Sequence, residues 1–270
     1  MKALIIGDIH GSLVELQELI KDVDRSKVRI ILVGDLIDRG LNSRGVINFV
    51  RDNNIECVRG NHEFIANDCL EILTSYVQNP SEFTTCLLKE TDWFYNGGYD
   101  VFNQYKVTDS LPQLIKDIKW LNQLPFYIET GIIDDFNLEL LVSHTWCSSK
   151  ALDRASTHHS EGFVWDRVQP TRRRNKSTYY NVYGHTPIDY VNPKKYRKNH
   201  GITHNPEPEF YDGACNIDTG CAYNTPTRGY LTGVFFPSLE IKQVKLKEIK
   251  RVSDAIQDKE EKLKDVPKDK

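Results

Sequence analysis

The sequence lacks the segments that mark secreted and membrane-bound proteins. No stretch approaches the roughly 18 apolar residues that a bilayer-spanning helix needs. The first apolar run ends at Asp8, which is too early for a signal peptide. Six cysteines are present, but no two form a Cys-x-x-Cys pair, so the sequence predicts no dense disulfide framework. We expect a cytoplasmic protein with reduced thiols.

A strong excess of charge of either sign is also missing. The 270 residues include 35 basic and 38 acidic side chains, a formal balance of −3. Proteins that wrap a nucleic-acid backbone usually carry a marked basic excess, so we expect no bulk nucleic-acid binding and no membrane partner. A small basic site for one phosphate is compatible with this balance. With 39% hydrophobic and 27% charged residues, the composition is that of a globular protein.

Strand and helix signals alternate over the first 80 residues, which predicts parallel strands joined by helices and hence an α/β fold. The predicted strands there are 2–7, 28–34 and 55–58, and the predicted helices begin near Ser12, Ser43 and His62. Strand-like runs return in the second half of the chain, at 126–129, 138–143, 179–184, 214–218 and 230–236.

The chain offers no internal repeat and no linker that would divide it. We predict a single domain over residues 1–246, with a helical insertion at about 80–125. Three prolines predict a long surface loop at 192–213. Residues 247–270 are dense in charges of both signs and predict a solvated tail.

Three of the predicted strands end in clusters of polar residues, one strand–helix unit apart. Residues just beyond the carboxyl ends of parallel strands gather in one crevice, where ligands bind. Each residue alone could be a turn former or a helix cap, but the three clusters together indicate a metal site. They are Gly7-Asp8-Ile9-His10-Gly11, Gly34-Asp35-Leu36-Ile37-Asp38-Arg39-Gly40 and Arg59-Gly60-Asn61-His62-Glu63.

Two later strands end in histidine, at His144 and His185. Oxygen donors combined with imidazoles suit borderline divalent metals such as Mn, Fe, Zn or Ni. The carboxylate of Asp35 can bridge two ions, so the pattern predicts a pair of them.

These clusters resemble the signature of the calcineurin-like metallophosphoesterases, in the branch of serine/threonine protein phosphatases and small bacterial and phage phosphatases. The resemblance covers roughly residues 2–236. It implies a β-sandwich of two mixed sheets flanked by helices, in four layers α/β/β/α. It also implies two divalent metal ions, with manganese expected. The implied ligands are Asp8, His10 and Asp35 for one ion, and Asp35, Asn61, His144 and His185 for the other.

The same resemblance implies roles for the remaining polar residues of the clusters. His62 corresponds to a general acid that protonates the leaving oxygen, and Asp38 to the carboxylate that orients its ring. Arg39 and Arg167 correspond to phosphate clamps, and Arg59 is a further candidate because guanidinium groups match phosphate oxygens in a bidentate manner.

The predicted function is a two-metal hydrolase of phosphoserine, phosphothreonine or similar accessible phosphomonoesters, acting by direct attack of a metal-bridging hydroxide. One alternative is a nucleotide or RNA-end phosphatase or phosphodiesterase, including a dinucleoside polyphosphate hydrolase. His10 stands where symmetric dinucleoside tetraphosphate hydrolases typically have glutamine, which disfavours that one subclass. A remote alternative is a scaffold that binds phosphorylated partners without turnover.

Overall fold

The computed structural model describes residues 2–79, 90–147, 161–170, 178–191, 206–223 and 228–247. Over these ranges the chain forms two mixed sheets of five strands each, which confirms the expected fold class. The first sheet consists of β1 (Lys2–Ile6), β2 (Val28–Leu32), β3 (Glu56–Cys57), β9 (Tyr230–Phe236) and β10 (Ile241–Lys245). Its order is β10-β9-β1-β2-β3, with β1, β2 and β3 parallel and β9 antiparallel to both β1 and β10.

The second sheet repeats this mixture of parallel and antiparallel pairs. It consists of β4 (Tyr127–Ile133), β5 (Glu139–Ser143), β6 (Tyr179–Tyr183), β7 (Glu209–Tyr211) and β8 (Ala214–Asn216). The order is β4-β5-β6-β8-β7, in which β5, β6 and β8 are parallel and the outer strands are antiparallel.

The helices lie mostly in the first half of the chain. They are α1 (Leu13–Ile20), α2 (Ser43–Asp52), α3 (Asn61–Asp68), α4 (Leu70–Gln78), α5 (Tyr99–Lys106), α6 (Leu111–Leu121), α7 (Gly162–Trp165) and α8 (Ile188–Val191), with a wide turn at Phe94–Gly98 before α5. None of the helices in the described ranges is long and apolar enough to cross a membrane.

The two faces of the first sheet supply two separate cores. Because side chains alternate along a strand, Ala3 and Ile5 of β1 pack into the core shared with the second sheet, which contains Val142 of β5. Leu4 and Ile6 pack instead into the core formed with the helices. This alternation fixes the register of β1, and with it the position at which Asp8 leaves the strand.

The structure corrects two details of the prediction. Of the predicted loop at 192–213, residues 192–205 lie outside the described part of the chain. The remaining part contains β7, so the loop prediction is wrong for 209–211. Pro206 and Pro208 suggested a loop, yet they precede an edge strand, a place where proline is tolerated. The helix predicted from His62 is two helices, α3 and α4, which meet at Cys69.

Candidate metal centre

Five loops bring the six predicted metal ligands into one buried cluster. The loops follow the carboxyl ends of β1, β2, β3, β5 and β6, where the two sheets meet. The His144 Nε2 atom lies 3.0 Å from Asn61 Oδ1 and 3.4 Å from Asp35 Oδ1. The Nδ1 atom of His185 also lies 3.0 Å from Asn61 Oδ1, and His10 Nε2 lies 3.5 Å from Asp35 Oδ2. The side chain of Asp8 groups with those of Asp35 and His144.

The donor atoms divide into two sets that share Asp35. In each set, one donor atom from each residue lies within 4.8 Å of the others: Asp8, Asp35 and His144 form one set, and His10, Asp35 and His62 the other. Asp35 therefore stands between two donor groups, as a bridging carboxylate would. His62, for which the sequence predicts no ligand role, lies within reach of the second set.

Hydrogen bonds fix the ring orientation of two histidines. The Nδ1 atom of His10 lies 2.8 Å from the carbonyl of Ile37, and that of His144 lies 2.8 Å from the carbonyl of Val33. A carbonyl only accepts, so each Nδ1 carries the proton and each Nε2 presents a lone pair. A histidine that donates one ring N–H to a carbonyl and offers the other nitrogen to the cluster is the usual arrangement of a metal ligand.

The donor chemistry fits divalent cations. The lone pair of His144 Nε2 faces two oxygen atoms, on Asn61 and Asp35, that are also electron donors. The Nε2 atom of His185 is buried without a hydrogen-bond partner among the described residues. Buried electron donors that face one another are unfavourable unless a cation lies between them. The arrangement is therefore suited to positive ions rather than to protein hydrogen bonds.

Burial and mutual repulsion change the acidity of the carboxylates. Burial, followed by the charges of Asp218 and Asp35, raises the pKa of Asp8 well above its ordinary range. Burial raises the pKa of Asp35 to about 7, although Arg39 acts in the opposite direction. Burial also raises the pKa of Asp218 to about 6. Carboxylates in this state hold protons that a divalent cation would displace.

The loops that carry these residues are conformationally strained. His10, Asp35, Asp38, Arg39 and His185 all have positive φ, between 45° and 71°. Each such residue costs about 1–3 kcal/mol, and such residues persist where the surrounding structure imposes them. The loops after β1 and β2 hold each other in this strained conformation, since the amides of residues 9 and 10 both donate to the Asp35 carbonyl. Gly184 allows the β6 loop to pass the Asp8 carboxylate, with which any Cβ there would collide.

A further carboxylate, Glu63, ties these loops together, although the sequence predicts no role for it. Its two oxygens accept hydrogen bonds from the amides of Asp35, Leu36 and Gly60 at 2.7–2.8 Å. It is fully buried, and burial followed by the charge of Asp35 raises its pKa to about 7. Its position three residues after Gly60, at the start of α3, lets it accept from the Gly60 amide, which is the half of a capping box that a glycine allows.

His62 and Asp38 form the predicted pair beside this cluster. The Nδ1 atom of His62 donates to Asp38 Oδ2 over 2.6 Å, and its Nε2, 3.9 Å from Asp35 Oδ2, has no hydrogen-bond partner among the described residues. The other Asp38 oxygen accepts from the indole Nε1 of Trp93 at 2.9 Å. The sequence predicts no role for Trp93, because it lies far along the chain from both Asp38 and His62.

Burial shifts the pKa of both members of this pair. It lowers the pKa of His62 well below its ordinary value, and neighbouring His10 and Arg39 add to the effect. It raises the pKa of Asp38 well above its ordinary range, and the hydrogen bond between the two side chains fixes the orientation of the ring. A negatively charged group bound beside Nε2 would raise the pKa of His62 again, because it favours the doubly protonated form.

Two of the three predicted arginines lie at the cluster. The Arg39 guanidinium is 2.9 Å from His10 Nε2 and lies over the ring of Tyr223, 5.4 Å from its centroid. Arg167 is exposed, with Nη1 3.5 Å from Thr186 Oγ1. Both guanidinium charges lower the pKa of Asp35 against the effect of burial. Each also contacts a ligand loop, Arg39 at His10 and Arg167 at Thr186 beside His185.

The structure assigns Arg59 a different role from the predicted one. Its guanidinium donates to the carbonyls of Asn122 and Leu124 and lies over the ring of Phe126, 4.6 Å from the centroid. These contacts fasten the end of β3 to the segment that follows α6. This geometry does not direct Arg59 towards a phosphate, because its donors are taken up by the carbonyls of residues 122 and 124 and by Asn122 Oδ1.

The family model described as "Calcineurin-like phosphoesterase" matches residues 1–213. Among curated relatives, the serine/threonine-protein phosphatase 1 of Salmonella typhimurium is 35% identical over 92 residues, which are 33% of this chain and 39% of that protein. The asymmetrical bis(5'-nucleosyl)-tetraphosphatase PrpE of Bacillus cereus is 26% identical over 90% of this chain and 94% of its own length. This chain thus spans only part of the first relative and nearly all of the second.

Solved structures share the fold. A putative diadenosine tetraphosphatase matches with a TM-score of 0.53 and 18% identity, covering 92% of this chain and 95% of that one. A protein serine/threonine phosphatase from Saccharomyces cerevisiae matches with a TM-score of 0.55 and 13% identity, covering 93% and 81%. Identities this low support the architecture alone.

Proposed function

The chain belongs to the calcineurin-like phosphoesterase family, and we propose that it hydrolyses phosphomonoesters, with phosphoserine and phosphothreonine side chains as its substrate class. Family and relatives together make it a metal-dependent phosphoesterase. The observation that carries the proposed hydrolysis is the His62–Asp38 pair. It presents a buried nitrogen beside the donor cluster, where a leaving oxygen would need a proton. The choice of a monoester rests on Arg39 and Arg167.

The proposed metal ligands are Asp8, His10 and Asp35 for one ion, and Asp35, Asn61, His144 and His185 for the other. Mixed oxygen and imidazole donors suit manganese, with iron, zinc or nickel as alternatives. Two such ions would supply a nucleophilic water and neutralise phosphoryl oxygens. The protein contributes the strained, buried loops that hold the donors in place before any ion binds.

Arg39 and Arg167 support a monoester rather than a diester. A phosphomonoester dianion carries one more negative charge than a diester, and two guanidinium groups reach the cluster from different loops. Guanidinium groups bind phosphoryl oxygens in a fork-like geometry. Arg39 is held on one side by Tyr223, so its orientation is partly set before substrate binds.

The role of His62 is to hold and transfer one proton. A bound phosphoryl dianion beside Nε2 raises the pKa of the ring, and the doubly protonated ring then gives its Nε2 proton to the leaving oxygen. Asp38 accepts from Nδ1 throughout and stabilises the charged ring. Trp93 in turn donates to the other oxygen of Asp38 and holds that carboxylate in place. The orientation of the His62 ring is therefore fixed.

A second candidate is hydrolysis of asymmetrical dinucleoside tetraphosphates. One observation favours it: the similarity to the PrpE tetraphosphatase spans 94% of that protein, whereas the similarity to serine/threonine-protein phosphatase 1 spans 39%. The donor cluster and the His62–Asp38 pair suit this reaction equally well, because it also cleaves a phosphorus–oxygen bond.

The test is a comparison of kcat/KM on four substrates with added Mn²⁺: p-nitrophenyl phosphate, a phosphothreonine peptide, bis-p-nitrophenyl phosphate and diadenosine tetraphosphate. We expect turnover of both monoesters at a rate at least about tenfold above that of the diester, a difference of about 1.4 kcal/mol. Chelation should abolish the turnover of both monoesters, and added Mn²⁺ should restore it. Faster cleavage of the tetraphosphate would establish the second candidate instead, and turnover that survives chelation would refute both.

A further inference from the structure

A cavity lies at the end of the sandwich opposite the metal centre. Its volume is about 530 Å³, which is within the range of small-molecule sites. Tyr180 and Phe236 line it from β6 and β9, the β4–β5 turn contributes Asp134, Asp135 and Phe136, and Asp212 follows β7. Neither the sequence motifs nor the family signature involves this end of the molecule.

The cavity is separate from the metal centre. Phe236 pairs with Ala3 at the start of β1, whereas Asp8 follows the end of that strand. In the other sheet, Tyr180 lies near the start of β6 and His185 follows its end. Five residues of strand correspond to about 16 Å, so one ligand of ordinary size cannot occupy both sites.

Tyr180 provides an unpartnered polar group in the wall of this cavity. Its side chain is 6% exposed, and its ring packs against Phe236 with centroids 5.5 Å apart. No residue in the described part of the chain makes a hydrogen bond with its hydroxyl. The hydroxyl oxygen is not among the enclosed, unpartnered side-chain atoms of the described residues, so it opens onto the cavity that Tyr180 lines. A ligand in the cavity can supply the partner that a tyrosine hydroxyl normally has.

The remaining lining is aromatic and acidic. Asp134 is held in place because its Oδ1 accepts from the amides of Phe136 and Leu138 at 2.9 and 2.8 Å. Asp135 and Asp212 add two further exposed carboxylates. No lysine, arginine or histidine is among the described residues that line the cavity. Phe136 is 77% exposed, a large apolar surface beside these charges.

We propose that this cavity binds a small organic cation, an ammonium or guanidinium group carried on a flat apolar body. The aromatic rings attract a cation through their faces and cover its apolar part. The three carboxylates supply the opposite charge, and the Tyr180 hydroxyl accepts a hydrogen bond from the cationic N–H group. The proposal does not depend on which phosphoester the metal centre hydrolyses.

Isothermal titration of the full chain in the presence of Mn²⁺ tests the charge requirement. Three indoles of similar shape serve as probes: tryptamine is a cation, 3-methylindole is neutral and indole-3-propionate is an anion. We expect tryptamine to bind at least about tenfold more tightly than 3-methylindole, and indole-3-propionate more weakly than both. Equal binding of tryptamine and 3-methylindole would overturn the proposal.

Variants locate the binding site. The double variant Asp135→Asn/Asp212→Asn should weaken tryptamine binding at least about fivefold, while 3-methylindole binding stays unchanged. Tyr180→Phe should weaken tryptamine binding by about threefold. Asp52→Asn, at an exposed carboxylate on α2, is the control and should change neither the affinity for tryptamine nor that for 3-methylindole. Unchanged tryptamine binding in both cavity variants would contradict the proposal.

Inorganic phosphate distinguishes the cavity from the metal centre. Saturating phosphate should leave the tryptamine affinity unchanged, because the two sites lie at opposite ends of the strands. Competition between phosphate and tryptamine would place the cation at the metal centre and overturn the proposal, whatever the enzyme's activity towards phosphomonoesters.

Discussion

Two clusters of buried charge in this protein are built in opposite ways. In the first, among the helices, the fully buried Asp117 accepts hydrogen bonds from Tyr105 Oη at 2.7 Å, Gln113 Nε2 at 2.8 Å and Arg51 Nη1 at 2.9 Å. In the second, at the metal centre, Asp35 faces histidine nitrogens at 3.4–3.9 Å. The Asp35 carboxylate receives one direct hydrogen bond from a described residue, the amide of His62 at 3.1 Å.

The difference separates a structural cluster from a functional one. Asp117 joins α2, α5 and α6 through donors on regular helices, so its charge is compensated within the fold. The metal centre gathers acceptors on residues with positive φ, and its carboxylates have raised pKa values. A buried cluster that its own protein leaves uncompensated marks the place where a ligand binds.

The largest expected effect comes from Asp35→Asn, which removes the shared donor. We expect the bound metal to fall below one ion per chain and kcat on p-nitrophenyl phosphate to fall at least about 10³-fold, equivalent to about 4 kcal/mol. The stability of the metal-free protein should not decrease, because an unfavourable buried carboxylate is removed. Elemental analysis, kinetics and denaturant unfolding measure the three quantities. Full metal occupancy in this variant would contradict the assignment.

The matched change in the other cluster is Asp117→Ala. It leaves Tyr105 and Arg51 without their acceptor and should lower the free energy of unfolding by about 3 kcal/mol. Metal content and kcat/KM at 20 °C should remain those of the parent. Urea unfolding measures the effect, with Asp22→Ala, in the exposed turn after α1, as the control. A stability loss no larger than that of the control would remove the contrast between the clusters.

His62→Asn tests the boundary of the metal centre. We expect kcat to fall about 10²-fold, since a positioned general acid contributes on that scale. Metal content should stay unchanged, because the sequence-based ligand set does not include His62. The loss should be smaller on p-nitrophenyl phosphate, whose leaving group needs little protonation, than on a phosphothreonine peptide. Loss of an ion would show instead that His62 is a ligand.

The smallest effect concerns pH. Burial raises the pKa of Asp35 to about 7 and that of Asp218 to about 6, so the folded, metal-free protein binds these protons more tightly than the unfolded chain. Their contribution to stability is complete below about pH 4 and is lost as pH rises through 6 to 7. Burial lowers the pKa of the four histidines His10, His62, His144 and His185, so their contribution to stability has the opposite sign and is complete above about pH 7. The melting temperature of chelated protein should therefore fall by about 3 °C between pH 7 and 8.5. Mn²⁺ should remove this decrease, and a rise with pH over this range in chelated protein would contradict the raised pKa values of the carboxylates.

The positions of the ligands could be predicted because parallel strands place their carboxyl ends together. Asp8, Asp35 and Asn61 each follow such an end, and so do His144 and His185. The direction of a side chain after a strand could not be predicted. Arg59 shows this, because the sequence predicts that it binds phosphate, whereas it donates to the carbonyl of Leu124.

Other features depend on partners that sequence patterns do not connect. Trp93 supports Asp38 across 55 residues of chain, and the pairing that makes the first sheet mixed joins β1 to β9 near the opposite end of the sequence. The short edge strand β7 was missed because two prolines precede it. Local patterns identify strands and turns, but they do not identify which distant segments pair.

The position of β1 between β2 and β9 has a consequence for biosynthesis. The antiparallel partner of β1, Tyr230–Phe236, leaves the ribosome more than 220 residues after β1. At about 5–20 residues per second, roughly 10–50 s separate the two. Throughout that interval one edge of β1 stays open. The candidate donor set becomes complete earlier, when His185 after β6 has been made, so the donors can gather before the first sheet closes at β9.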